Sequence, residues 1–253
     1  MSEQNKIYGL IGKTLTHSFS MDFFNQKFIA EGIDASYINF EIDDVADLLT
    51  VLSEYPSLSG LNVTSPYKEQ VMQYMDELDE TAQQVGAVNV IKIMKGSDEG
   101  LLKMVGYNSD FIGFKNSLEP ILTPEIDRAL ILGTGGACKA VKAVLTSLGI
   151  GVSLVSRKKS AQTITYEELT KQMIHDHKLI VNTTPLGTYP HNETYPLIPY
   201  RFISAEHLCY DLVYNPSETV FMKLSAAQGA TVKNGLEMLL LQAFESYRIW
   251  TEL

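Results

Sequence analysis

Cysteine is scarce in this chain of 253 residues: there are two, Cys138 and Cys209, far apart in sequence. One falls in a glycine-rich turn and the other in an expected buried strand. Neither suits a disulfide framework or a metal cluster, so a reduced, cytoplasmic protein is expected. Long apolar runs are missing too. No stretch reaches the roughly 18 residues needed to span a bilayer, and the opening MSEQNKIYGLIG lacks the cationic segment of a secretory leader. Positive charge is in short supply, with 20 Lys+Arg against 30 Asp+Glu and a net charge of −10. That balance argues against nucleic acid or an anionic membrane as the main partner, and it makes any anionic ligand depend on a local basic site. Internal repeats and low-complexity segments are absent. What remains is an ordinary globular composition, 45% hydrophobic and 20% charged, at a length sufficient for two compact domains.

The most informative stretch is RALILGTGGACKAVKAVLTSLGIGVSLVSRKK, residues 128–159. Residues 129–132 form a short apolar run that suits a buried parallel strand, and Gly133, Gly135 and Gly136 then allow a tight turn where main chain can approach phosphate. Ala140, Val141, Val144, Leu145 and Leu148 recur at helical spacing, with Gly149 placed to end the helix in a left-handed cap. The free N–H groups at the start of that helix point to a dinucleotide pyrophosphate. Cys138 stands where the dinucleotide fingerprint usually has glycine or alanine, which predicts slightly looser packing there. After a second strand at 152–155 come Ser156, Arg157, Lys158 and Lys159, where an NAD enzyme would offer an acidic residue to the ribose. A basic cluster favours the 2′-phosphate of NADP; a solvated basic turn is the bland alternative.

Elsewhere strands and helices alternate. Strands are expected at 6–11, 36–40 and 58–63, with a helix ending near 30 whose apolar face carries Phe23, Phe24, Phe28 and Ile29. Asp43 is placed to cap a helix running to about 54, and Pro66 fits the first turn of another. A helical stretch at 76–84 precedes a hairpin of strands at 87–94 and 101–105, so the first part reads as an α/β domain with a mixed sheet. Further on, helices are expected from 108, at 166–173, 218–227 and 236–250, and strands at 178–181, 208–213 and 231–233. The loop holding Pro185, Pro190, Pro196 and Pro199 reads as a stiffened surface excursion.

Several side chains are candidates for chemistry. Lys68, one turn into its expected helix, is the first acid/base candidate, and Asp110 is its candidate partner; taken alone, each is more simply a surface charge or a helix cap. Ser18 and Ser20, two apart, would face one side if their loop is extended and could then grip a carboxylate, although a capping role is commoner. Gln242, on an apolar helix face, needs either a backbone or a ligand partner. His175 and His177 read as a solvated turn rather than a metal site.

Taken together, the motifs resemble the shikimate dehydrogenase family over nearly the whole chain. His17 to Ser20 looks like its H-S-x-S loop, NVTSPYK (62–68) its N-V-T-x-P-x-K, and GAVN (86–89) its G-A-x-N. NSD (108–110), GTGGACKA, NTTPLG, YDLVYNP (210–216) and GLEML followed by Gln242-Ala243 match further segments in order. The resemblance implies an N-terminal α/β substrate domain at 1–109 with a returning C-terminal helix at 236–253, a Rossmann-like NADP-binding domain at 110–235, and an interdomain cleft. It implies that Ser18, Ser20, Thr64, Lys68, Asn89, Asp110, Tyr214 and Gln242 bind shikimate, with Lys68 and Asp110 as the catalytic pair. Gly133, Thr134, Gly135, Gly136, Ala137, Ser156, Arg157 and Lys158 would hold NADP, with Leu212, Gly235 and Met238 near the nicotinamide and no metal. The implied reaction is reversible reduction of 3-dehydroshikimate to shikimate by NADPH, in aromatic amino-acid biosynthesis, by a monomer or homodimer. A quinate or dual quinate/shikimate dehydrogenase using NAD(P), and a non-catalytic binding protein that keeps the fold, are the alternatives. Met21 stands where the family usually has proline and Phe111 where it has glycine, and the ending at Leu253 implies loss of a last helix that bears on domain packing and dimerisation.

Overall fold

The computed structural model describes residues 5–15, 19–96 and 102–252. The chain divides into two compact units, Met1–Ser109 with Ala243–Leu253, and Asp110–Gln242. In the first unit the chain runs β1 (Lys6–Gly12), α1 (Phe19–Glu31), β2 (Ala35–Glu41), α2 (Leu48–Glu54), β3 (Leu58–Val63), β4 (Glu77–Leu78), α3 (Glu80–Val85), β5 (Val90–Lys95) and β6 (Leu102–Tyr107). These strands form one mixed sheet in the order β2-β1-β3-β5-β6-β4. β1 lies parallel to β2 and β3, whereas β5 is antiparallel to β3 and β6, giving the expected hairpin. Successive side chains of a strand face opposite ways, so each face builds its own core. Ile11, Phe40, Leu61 and Ile91 join one core with Leu48 and Val71, while Tyr8, Tyr37 and Val90 join Phe24, Phe28 and Trp250 on the other.

Several local expectations fail for identifiable reasons. Ile29 is 82% exposed, because α1 buries the i, i+4 pair Phe24 and Phe28 and the next position turns away from the sheet. The helix expected to start at Asp43 is capped by Asp44 instead, in a capping box with Asp47, and begins as a single tight turn, Val45–Asp47. Pro66 and Lys68 lie in a run of turns ahead of a short 3-10 helix, Gln70–Tyr74, rather than inside a helix. The stretch at 76–84 splits into β4 and α3, the latter capped by the Asp79 carboxylate, which accepts from the Ala82 N–H at 2.9 Å.

From α4 (Ser109–Leu118) the chain enters the second unit: β7 (Arg128–Leu132), α5 (Gly136–Ser147), β8 (Gly151–Ser156), β9 (Thr163–Thr165), α6 (Lys171–Asp176), β10 (Leu179–Asn182), β11 (Leu208–Asp211), α7 (Val220–Ala226), β12 (Thr231–Lys233) and α8 (Leu236–Glu252). The sheet order is β12-β11-β10-β7-β8-β9 and every neighbouring pair is parallel. This is the doubly wound arrangement, in which strand order reverses at β7 and a crevice opens at the carboxyl ends of the strands on either side. Two details differ from expectation. The helix expected at 166–173 is a turn, Tyr166–Glu168, followed by α6, with the short edge strand β9 before it. The first seven residues of α8 belong to the second unit rather than returning to the first. Gly113 explains their docking: a Cβ there would lie 2.8 Å from the Met238 carbonyl oxygen and 2.9 Å from Gln242 Cβ, so only glycine lets α4 and α8 approach so closely. No helix among the described residues is long and apolar enough to cross a membrane.

Candidate active site

The turn between β7 and α5 has the geometry its glycines suggest. Gly133 sits at φ +104°, donates its N–H to the Val155 carbonyl at 2.8 Å, and would press a Cβ to 2.9 Å from Thr184 Cγ2. Gly135 is the residue before the first helical turn; no side chain caps that turn, and a Cβ at Gly135 would meet nothing within 4 Å. The Cys138 N–H turns back to Gly135 O at 3.0 Å, so an acceptor ahead of the helix would meet the N–H groups of Gly136 and Ala137. Cys138 is buried among the sheet-facing residues of α5, and burial pushes its thiol up to about 11, which makes it unreactive. Gly149, at φ +76°, ends the helix as expected, with Ile150 N–H donating to Leu145 O at 2.9 Å. Past β8, the Ser156 hydroxyl accepts from the Lys158 N–H at 3.3 Å, and Thr163 Oγ1 donates to Lys158 O at 3.0 Å. Arg157 and Lys158 are exposed. Lys159 differs from them: it pairs with Glu168, and this hydrogen bond holds the Glu168 carboxyl below its ordinary range.

Leu212, Gly235 and Met238 are assembled where β11 ends and α8 begins. Leu212 N–H donates to Asn182 O at 3.0 Å, Gly235 N–H donates to Val213 O at 3.1 Å, and Met238 is buried on the first turn of α8. Asp211 organises this corner. Wholly buried, it accepts from Thr219 Oγ1 at 2.6 Å, Asn182 Nδ2 at 2.9 Å and the Val213 N–H at 3.0 Å. Burial nevertheless outweighs these bonds and pushes its carboxyl up from 3.8 to about 6. A carboxyl whose folded pKa is raised stabilises the fold fully only below its unfolded pKa, and that contribution is lost as pH rises through the folded value. Asp211→Asn, which keeps an acceptor oxygen and carries no charge, should therefore gain stability relative to the parent between pH 4 and pH 7, by up to about 3 kcal/mol. Thermal melts of both proteins across that range test this; parallel pH dependences would show that Asp211 titrates normally.

In the first unit three sequence-distant motifs meet. Asn62, near the end of β3, accepts from Tyr37 Oη at 2.8 Å and donates to Ser246 Oγ at 2.9 Å. Asn89 Oδ1 accepts from the Ser109 N–H at 2.7 Å, while its Nδ2 donates to Ser109 Oγ at 3.1 Å. Ser109 and Ser246 hydroxyls lie 3.1 Å apart, and every member of this network is at most 7% exposed. Asp110 follows directly, half-buried in the first turn of α4. Thr64 is held at the end of β3 by its N–H, which donates to Ile11 O at 2.9 Å. Half-buried Lys68 accepts from the Val88 N–H at 2.7 Å through its carbonyl, beside the buried Tyr67, whose hydroxyl donates to Ile42 O at 2.7 Å. Ser20 hydrogen-bonds Tyr37, whose phenol burial pushes well above its ordinary pKa. Ser18 lies outside the described residues. Gln242 donates to Leu239 O at 2.9 Å, and Tyr214 is 40% exposed.

Sequence reasoning left out Tyr37 and Ser246 as members of this network, since their partners lie 25 and 184 positions away from them. It also misjudged His177. That side chain is buried, not solvated: Nδ1 donates to Met173 O at 2.7 Å, which leaves Nε2 to accept from Ser153 Oγ at 2.9 Å. His175 is exposed beside Asp176, and no group of three potential metal ligands occurs among the described residues.

Residues 10–91 match the family model described as the shikimate dehydrogenase substrate binding domain. A shikimate dehydrogenase (NADP(+)) of Methanococcus maripaludis is 37% identical over 268 residues, covering 99% of this chain and 93% of that protein. Among solved structures, shikimate 5-dehydrogenase from Thermus thermophilus, in complex with NADP(H) and shikimate, superposes with a TM-score of 0.82 at 28% identity, covering 98% of this chain and 94% of that one. Quinate dehydrogenase from Corynebacterium glutamicum, in complex with NAD, gives a TM-score of 0.86 at 26% identity, with coverage of 98% and 94%. On identity sustained along nearly the full length of both partners, the chain belongs to the shikimate dehydrogenase family.

Proposed function

We propose that this protein catalyses the reversible reduction of 3-dehydroshikimate to shikimate by NADPH, a step of aromatic amino-acid biosynthesis. The observation that carries the reading is the convergence of Asn62, Asn89 and Ser109, one from each of three separated motifs, in a single buried network. It fixes the segments that carry Thr64, Lys68 and Asp110.

The second unit fits NADP. Gly133 has a backbone only glycine adopts without strain, Gly135 leaves open space before an uncapped helix, and Arg157 and Lys158 stand exposed after β8. Thr134 completes the turn, Gly136 and Ala137 open α5, Ser156 accepts from the Lys158 N–H, and Leu212, Gly235 and Met238 would flank the nicotinamide. NADPH held by these residues would supply the hydride for the substrate's carbonyl carbon. Lys68 gives its ammonium proton to the carbonyl oxygen as charge builds there, and takes it back in the reverse reaction. Asp110 accepts a hydrogen bond from a substrate hydroxyl and orients the ring. Ser18 and Ser20 grip the carboxylate, and Thr64, Asn89, Tyr214 and Gln242 complete the binding set.

Absorbance of NADPH at its nicotinamide band, followed with 3-dehydroshikimate, tests the reading. Ligand binding without oxidation of NADPH would leave a non-catalytic protein. The likeness to a quinate dehydrogenase supports one rival, in which quinate and NAD are used. Initial rates with the four substrate and cofactor pairs separate the two, since quinate's additional ring hydroxyl must fit around Ser18, Ser20 and Tyr214. The double variant Arg157→Ala, Lys158→Ala is expected to raise KM for NADPH by roughly tenfold or more and leave rates with NADH unchanged. Equal losses with both cofactors would place these side chains away from the 2′-phosphate.

A further inference from the structure

The buried serine of the last helix takes no part in the chemistry proposed above, yet it joins two segments that do. Ser246 lies on α8 with no exposed surface. Its hydroxyl accepts from Asn62 Nδ2 at 2.9 Å and stands 3.1 Å from Ser109 Oγ. Asn62, in β3, is two residues before Thr64 and six before Lys68, which lies in the turns that follow the strand. Ser109 is the first residue of α4 and the covalent neighbour of Asp110, and its N–H and hydroxyl are both engaged by Asn89. At the far side of Asn62, Tyr37 donates to Oδ1 at 2.8 Å and is itself hydrogen-bonded by Ser20.

We infer that Ser246 is a positioning residue for the reaction: its hydroxyl holds Ser109 and Asn62 together and so fixes the backbone from which the Asp110 carboxylate projects. Packing alone does not call for a hydroxyl there, since alanine fills nearly the same volume and favours a helix more. Where every member is this deeply buried, polar groups that lose a shared partner shift to find another. A displacement of about 1 Å in a catalytic group is enough to cost up to 10²-fold in rate. Tyr37 plays the matching part at the other end, where it orients Ser20.

The inference rests on the dehydrogenase reading, so parental NADPH oxidation with 3-dehydroshikimate is established first; its absence sinks that reading and is seen before any variant is made. Ser246→Ala, Ser109→Ala, the double variant and Tyr37→Phe are then compared as full-length chains. Ser246→Ala is expected to lower kcat about tenfold, move a limb of the kcat pH profile, and leave the Kd for NADPH within about twofold. The double variant should cost no more than the worse single one, as for residues acting as a unit. Tyr37→Phe should instead raise KM for 3-dehydroshikimate more than it lowers kcat. Parental kcat and pH profile in Ser246→Ala, whatever its Tm, overturn the proposal. Failure of both alanine variants to fold overturns it as well, because the hydroxyl would then serve stability.

Discussion

Lys68→Ala is expected to lower turnover of 3-dehydroshikimate by about 10²–10⁴-fold, the range lost when a positioned general acid is removed, with NADPH affinity nearly unchanged. The variant is informative because the backbone around position 68 is held by groups other than the ammonium. Lys68 O accepts from Val88 N–H at 2.7 Å, Tyr67 is buried with its hydroxyl on Ile42 O, and Val71 N–H donates to Tyr67 O at 2.9 Å. Truncating the side chain leaves all three contacts. Loss of rate therefore reports on the ammonium and not on collapse of the turn. Thermal unfolding and NADPH titration of the same preparation check the premise, and parental turnover in a folded variant would strip Lys68 of its role. Arginine is a poor substitute at this position: it keeps the charge but has no proton to give near neutral pH.

How much of this was legible beforehand depends on how far apart the deciding contacts lie in sequence. The β7–turn–α5 unit could be read because each of its signals is local: the apolar run, Gly133 at φ +104°, the helical spacing of Val141, Val144 and Leu145, and Gly149 at the end. The mixed character of the first sheet followed from one short turn between two strands. The helix expected at 76–84 failed because Glu77 and Leu78 pair with Val105 and Gly106, and two residues carry no period. Ile29 failed for a related reason: helical spacing names an apolar stripe but not its edge, and the edge is set by the sheet beneath. Lys68 was read as helical because proline commonly opens helices, whereas the segment forms turns until Gln70. The roles of Tyr37 and Ser246 were out of reach, since a lone tyrosine in a strand or serine in a helix announces no partner. Their meaning comes from Asn62, reached only once β2, β3 and α8 are in place.

Gly235→Ala is expected to destabilise the second unit by about 4 kcal/mol, lowering Tm by roughly 10 °C. The added Cβ would stand 2.1 Å from Leu212 O, 2.6 Å from Leu212 C and 3.0 Å from Leu212 Cα, all backbone atoms. That backbone has little room to yield. Leu212 N–H is tied to Asn182 O at 3.0 Å, Val213 N–H to the buried Asp211 carboxylate at 3.0 Å, and Gly235 N–H to Val213 O at 3.1 Å. Relief must come from breaking one of these bonds or shifting the start of α8, whose own approach to α4 is set by the contact at Gly113. Gly135 offers the opposite case within the same unit. Its φ of −79° suits any residue and a Cβ there meets nothing within 4 Å, so Gly135→Ala should melt within about 2 °C of the parent. Its cost should appear in NADPH affinity alone, because the methyl group enters the space before the α5 N–H groups where pyrophosphate must approach. Equal Tm values for the two variants would mean that the Leu212 segment moves freely. Equal NADPH affinities for Gly135→Ala and the parent would mean that the phosphates lie elsewhere.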